Sequence, residues 1–278
     1  MSSLSHLRLQ SVTLVVSDLV RSMRFYGPEG LGLEPMGADE LGAGGRVLVR
    51  LVEQPSAGPS NPRALGLFHF ALLLPSRADL GSFFGYARET LPLGGAADHL
   101  VSEALYLSDP DGHGIEVYAD RPREAWRQQH GEVVMSTEGL DEDGVLGAAL
   151  QPWHGMPPGT TLGHVHLRVG ALGTARTFFS ELLGLDLTLA SYPGAFFFAA
   201  DGYHHHVGTN VWSSRGGHPA SADTCRLIRI SASVGNRESF DAAYERLSEG
   251  GAEPTRATSD LFTVRDVAGV EWALACES

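Results

Sequence analysis

Between His99 and Glu116 the chain sets three side chains able to move protons or bind a metal, His99, Tyr106 and Glu116, around one strand-turn-strand. Asp109-Pro110-Asp111-Gly112 is a turn, with proline presetting φ and glycine free to take positive φ, and it separates the apolar runs 104–107 and 115–118. On the second run Ile115 and Val117 alternate with Gly114, Glu116 and Tyr118, so the carboxylate points where small and polar residues point. Glu116 is therefore predicted to face a cavity, and His113, at the turn tip, to face solvent. Three more histidine positions carry possible chemistry. In 164–169 the apolar face is Val165, Leu167 and Val169, which leaves His164, His166 and Arg168 on the other. His69 sits in a run apolar on both faces, where an isolated histidine is ordinarily a hydrogen-bonded core residue. His204-His205-His206 reads as strand leading into Val207, with His204, His206 and Asn210 on one face.

A strand-helix pattern that positions these residues recurs near Ser11, His69, His164 and Leu227, each time followed by further strands. The stretches beginning Ser11-Val-Thr-Leu and His164-Val-His-Leu align without gaps through the strand and most of the helix. The order is A-B-A′-B′, four βαβββ modules in an α+β fold. In chain order the pairs are 1–135 and 160–278, joined by a connector, 136–159, that overlaps a longer aperiodic stretch from Asp120 to Pro158.

At 278 residues, 43% hydrophobic and 19% charged, the chain has enough apolar surface for two cores. Its formal charge of −13 argues against nucleic acid and anionic membranes. Cys225 and Cys276 form neither a disulfide framework nor a thiolate metal motif. No apolar run is long enough to span a bilayer and Met1–Gln10 lacks the blocks of a signal peptide, so a cytoplasmic location is expected.

These segments, together with Gly66-Leu-Phe-His69, Tyr203-His-His-His and Gly114-Ile-Glu-Val-Tyr, resemble the vicinal oxygen chelate superfamily of glyoxalases, bleomycin-resistance proteins and type I extradiol dioxygenases, and within it the bacterial catechol 2,3-dioxygenase group. His99, Leu105-Tyr106, Asp109-Pro110, Gly112 and Glu116 match the extradiol signature, Ala97 being a small departure. The resemblance implies two glyoxalase-like domains and a metal held by one histidine from each of two modules plus a glutamate. Taken sequentially the modules offer Ser11, His69 and Glu116, or His164, Leu227 and Glu271, and neither set is complete. If the inner modules pair, His69, Glu116 and His164 form a two-histidine, one-carboxylate set suited to Fe(II), with Mn, Zn or Ni as alternatives. That crossed pairing is the prediction. The resemblance further assigns substrate contact to Tyr106, a place beside the substrate ring to His99, and proton transfer to the triple histidine, His206 before His204 and His205 last. It implies an enzyme of aromatic hydrocarbon catabolism that opens a catechol with O2 and leaves oligomer formation open. A metal-dependent isomerase or thiol transferase, with His206 as a fourth ligand, and a metal-free binding protein are the competing classes.

Overall fold

The computed structural model describes residues 4–277, and each repeat forms a βαβββ unit. The first contains β1 (Leu7–Val16), α1 (Leu19–Tyr26), β2 (Glu34–Pro35), β3 (Glu40–Ala43) and β4 (Arg46–Glu53). The second contains β5 (Gly66–Leu73), α2 (Arg77–Thr90), β6 (Leu93–Asp98), β7 (Ser102–Ser108) and β8 (Gly114–Asp120). The aperiodic stretch between the second and third units forms a small hairpin, β9 (Gln128–Gln129) and β10 (Glu132–Val133), then helix α3 (Glu142–Gly147). The third unit has β11 (Thr161–Arg168), α4 (Leu172–Arg176) running into a π-helical turn at Thr177–Leu182, β12 (Asp186–Leu189), β13 (Ala195–Ala199) and β14 (Val207–Asn210). The fourth has β15 (Arg226–Val234), α5 (Arg237–Glu249), β16 (Thr255–Thr258), β17 (Leu261–Arg265) and β18 (Glu271–Cys276). No helix among the described residues is long and apolar enough to cross a membrane.

The units start their helices by the same device. Asp18, Ser76 and Asn236 accept the backbone N–H three residues on and so cap α1, α2 and α5, each such cap stabilising by about 1 kcal/mol. In the third unit the cap position is Ala171, which makes no such bond.

Strands combine across the chain in an inner and an outer sheet. The inner sheet runs β12-β13-β14-β11-β5-β8-β7-β6 and the outer sheet β16-β17-β18-β15-β1-β4-β3-β2. The second and third modules therefore share one sheet, and the first and fourth the other. Each sheet is joined at its centre by an antiparallel pair, β5 with β11 and β1 with β15, while the first and last strands of every module lie parallel. One apolar cluster, including Leu14, Phe70, Leu72, Phe179 and Trp272, runs through both sheets.

The hairpin tip is pinned to the first module. Gly112 takes φ +86, as the turn requires. Asp111 accepts from the Ser17 backbone N–H and hydroxyl and pairs with Arg21 at 2.6 Å. His113 is 1% exposed, contrary to its predicted exposure, because Asp109 takes both its backbone N–H at 2.7 Å and its Nδ1 at 2.8 Å. The tip is not free to face solvent, since Tyr26 of α1 also donates to Asp109.

Asp266 plays the corresponding part in the fourth module, accepting from Ala268 and Val270 N–H and from Trp272 Nε1. Burial raises its carboxyl from 3.8 to about 6, against those three donors. The folded state thus holds this proton more tightly than the unfolded chain, and the stabilisation is complete below about pH 4 and lost as pH rises through about 6. Denaturant unfolding from pH 4 to 7 is expected to show a loss of up to about 3 kcal/mol from this group, absent in Asp266→Asn. An identical pH slope in both proteins would refute the assignment.

Candidate metal centre and active-site cavity

The seam between β5 and β11 sets the site. It places His69 opposite His166 and His164 opposite Ala71, with an irregularity after Leu162 and another after His166. Gly163 and Phe68 are the extra residues at these bulges, which re-aim the side chains that follow them. Gly163 admits no side chain, since a Cβ there would lie 1.9 Å from the Tyr118 hydroxyl. On the far side of β5, the parallel strand β8 brings Glu116 beside Ala71.

His69 Nε2 lies 3.0 Å from Glu116 Oε2, His164 Nε2 lies 3.2 Å from the same oxygen, and the two Nε2 atoms are 3.3 Å apart. All three residues are buried, Glu116 at 2% exposure. Burial alone would push the Glu116 carboxyl up, yet His164 and His69 beside it hold it well below the usual range. Burial pushes the His69 imidazole down, which outweighs the pull of Glu116. An ionised carboxylate and a bare imidazole nitrogen are the states in which these groups bind metals. Ligand atoms in mutually cis positions about 2.1 Å from an ion lie about 3.0 Å apart, so the triangle fits a divalent cation bound on one face. Among the described residues these three are the only such group of ligands.

They open onto a cavity of about 450 Å³. Its walls include Phe68, Phe197, Tyr192 and Trp212, and the edge-on or tilted rings of Phe68, His166 and Trp212 contact one another. Tyr106 and His99 line it too. His99 Nδ1 lies 2.7 Å from the Ser136 carbonyl, which only accepts, so Nδ1 donates to it, and His99 Nε2 lies 2.6 Å from the Tyr106 hydroxyl. Burial, then Glu116, raises the Tyr106 phenol well above its ordinary value, so it stays protonated.

The triple histidine is arranged otherwise than strand alternation predicts. Residues 201–206 turn and bend before β14 begins at Val207, so period two does not apply. His205, ranked last, lines the cavity with its ring 4.2 Å from His164. His204 lies behind it, bonded to His205 and Asp120. His206 does not reach the cavity: it lines a separate cleft with Arg8, Arg123 and Ser11, its Nδ1 accepts from Ala200 N–H, and burial brings its imidazole down to about 3.

Sequence reasoning also missed Met135, Ser136 and Thr137, through which the aperiodic connector closes one wall, Thr137 bonding Tyr192 at 2.8 Å. His166, named only for its face, lines the cavity with Nε2 buried and unpartnered among the described residues.

In the outer sheet the equivalent positions hold no ligand set. Thr13, the counterpart of His166, lies opposite Arg229, so Arg229 and not Leu227 stands in the place of His69. Val270 N–H meets Asp266 as His113 N–H meets Asp109, which puts Ala273, not Glu271, in the place of Glu116. Glu271 instead pairs with Arg229 at 2.5 Å.

The paired βαβββ modules are those of a superfamily to which the chain belongs: Glyoxalase/Bleomycin resistance protein/Dioxygenase, whose family profile matches residues 161–274. It is 39% identical over 262 residues to the catechol-2,3-dioxygenase of Bacillus subtilis (strain 168), covering 91% of both chains. Among solved structures it resembles glyoxalase I from Zea mays, with TM-score 0.54 and 15% identity over 97% of this chain and 92% of that one. It also resembles the cppA protein from Streptococcus pneumoniae TIGR4, with TM-score 0.56 and 13% identity over 99% of each. Those two likenesses are of fold alone.

Replacing Gly163 with alanine is expected to drive a methyl into the Tyr118 hydroxyl, shift His164, and cost about 1–3 kcal/mol. Glu116→Gln should leave folding intact and weaken binding of Mn(II), followed by titration calorimetry, by at least about 100-fold. Unchanged Mn(II) affinity in Glu116→Gln would show that the ion sits elsewhere.

Proposed function

We propose that this chain is an extradiol dioxygenase that opens the ring of a catechol with Fe(II) and O2. The observation that carries the reading is the triangle of His69, Glu116 and His164, set on one face at the floor of an aromatic-walled cavity. Two imidazoles and one carboxylate on a single face are the ligand set of non-haem Fe(II) oxygenases. Resemblance to a catechol-2,3-dioxygenase at 39% identity supports the same reading. Fe(II), when bound, supplies a redox-active Lewis-acid centre beside which catecholate and O2 are held together.

The chain's own residues do the rest. The flat ring lies between Phe68, Trp212 and Tyr192, whose faces and edges suit another aromatic ring and exclude water. Tyr106, hydrogen-bonded to His99, presents its hydroxyl to a catechol oxygen and so fixes which way the diol points. His205, at the cavity wall, is the proton acceptor for the diol. A substrate this size needs neither nucleic acid nor membrane as partner. A four-ligand isomerase centre would need one more donor, and His206 lies outside the cavity.

Anaerobic loading with Fe(II), then addition of catechol and O2, is expected to give the yellow ring-opened product. Tyr106→Phe should lower kcat/KM by about 10- to 1,000-fold, the span of one to three lost orienting hydrogen bonds' worth of free energy. No product from any of several catechols, with Zn(II) or Ni(II) bound in preference, would favour the isomerase reading instead.

A further inference from the structure

Behind the cavity wall a chain of hydrogen bonds runs from His205 to the protein's edge. His205 Nδ1 lies 2.7 Å from His204 Nδ1, and His204 Nε2 lies 2.8 Å from Asp120 Oδ1. Tyr203 donates to the other Asp120 oxygen at 2.9 Å, so Tyr118, 2.8 Å from the Tyr203 hydroxyl, must donate to Tyr203. The His204 side chain is wholly buried, whereas Asp120 is 23% exposed.

The direction of each bond follows when each ring carries one proton. An ionised carboxylate only accepts, so His204 Nε2 carries a proton. In a neutral ring His204 Nδ1 is then bare and must accept from His205 Nδ1–H. With its proton on Nδ1, His205 has a bare Nε2. That atom has no hydrogen-bond partner among the described residues and belongs to a side chain that lines the cavity.

We infer that Asp120 and His204 are positioning residues that hold His205 in the tautomer whose Nε2 lone pair is free for the cavity. That this lone pair meets a catechol hydroxyl rests on the dioxygenase reading; the tautomer does not.

The test has two readouts. In the Zn(II)-loaded protein labelled with 15N-histidine, His205, assigned by its loss in His205→Gln, should show a protonated Nδ1 and a bare Nε2, and Asp120→Ala should mix or invert this pattern. In the Fe(II)-loaded protein Asp120→Ala and His204→Gln should each lower kcat about 10- to 100-fold with KM changed less than about threefold. A protonated Nε2 on His205 in the unsubstituted protein, or an unchanged pattern in Asp120→Ala, overturns the inference. Should Asp120→Ala fail to fold, His204→Gln is read in the same way. A correct tautomer in a protein that cleaves no catechol would count against the dioxygenase reading alone.

Discussion

A carboxylate with 2% exposure is the constraint around which this molecule is organised. Glu116 would be expensive to bury alone, because nothing in an apolar interior replaces the water it loses. Here it is met by His69 at 3.0 Å and His164 at 3.2 Å, residues that lie 95 positions apart in the chain. What brings them together is the antiparallel seam of β5 and β11, and what aims them is its pair of bulges. Phe68 as an extra residue turns successive side chains of β5 toward the cavity, and Gly163 lets Tyr118 pack against the backbone just before His164.

The outer sheet shows the same architecture without the chemistry. Its seam carries irregularities at matching places, after Leu9 and after Thr13. Ser11, Arg229 and Ala273 occupy the three ligand positions, and an Arg229–Glu271 ion pair lies nearby. A repeated backbone plan is therefore not enough to assemble such a ligand set. The inner site differs in side-chain type, not in backbone plan, and the outer modules support it from outside, through Tyr26 and Arg21 on the hairpin tip.

Much of this was legible from residues alone. The fourfold repeat, the hairpin, and the facing of Glu116 and His164 follow from period-two alternation and turn chemistry, which are local. The crossed association of modules comes from the resemblance, whose ligand positions neither sequential pair fills, and the strand order agrees. Four features were not legible. Alternation fails at His204-His205-His206, since the chain bends there, and it exchanges the places of His205 and His206. The burial of His113 depends on a contact with another module, which no local rule reports. Assigning Leu227 and Glu271 as outer counterparts erred by two residues each, because bulges and turn length reset the register that a motif assumes. The connector's part in the cavity has no periodic signal at all.

The central claim is that one site is built from the two halves of the chain, at the inner seam. Its most direct test is a crystal structure of the Fe(II)-loaded protein, grown without oxygen, with anomalous diffraction measured at the iron edge. The account predicts a single strong peak within bonding distance of His69 Nε2, His164 Nε2 and a Glu116 oxygen, with none at Ser11, Arg229 and Ala273. A peak bound through other residues, or His69 and His164 held too far apart to share one ion, would contradict it.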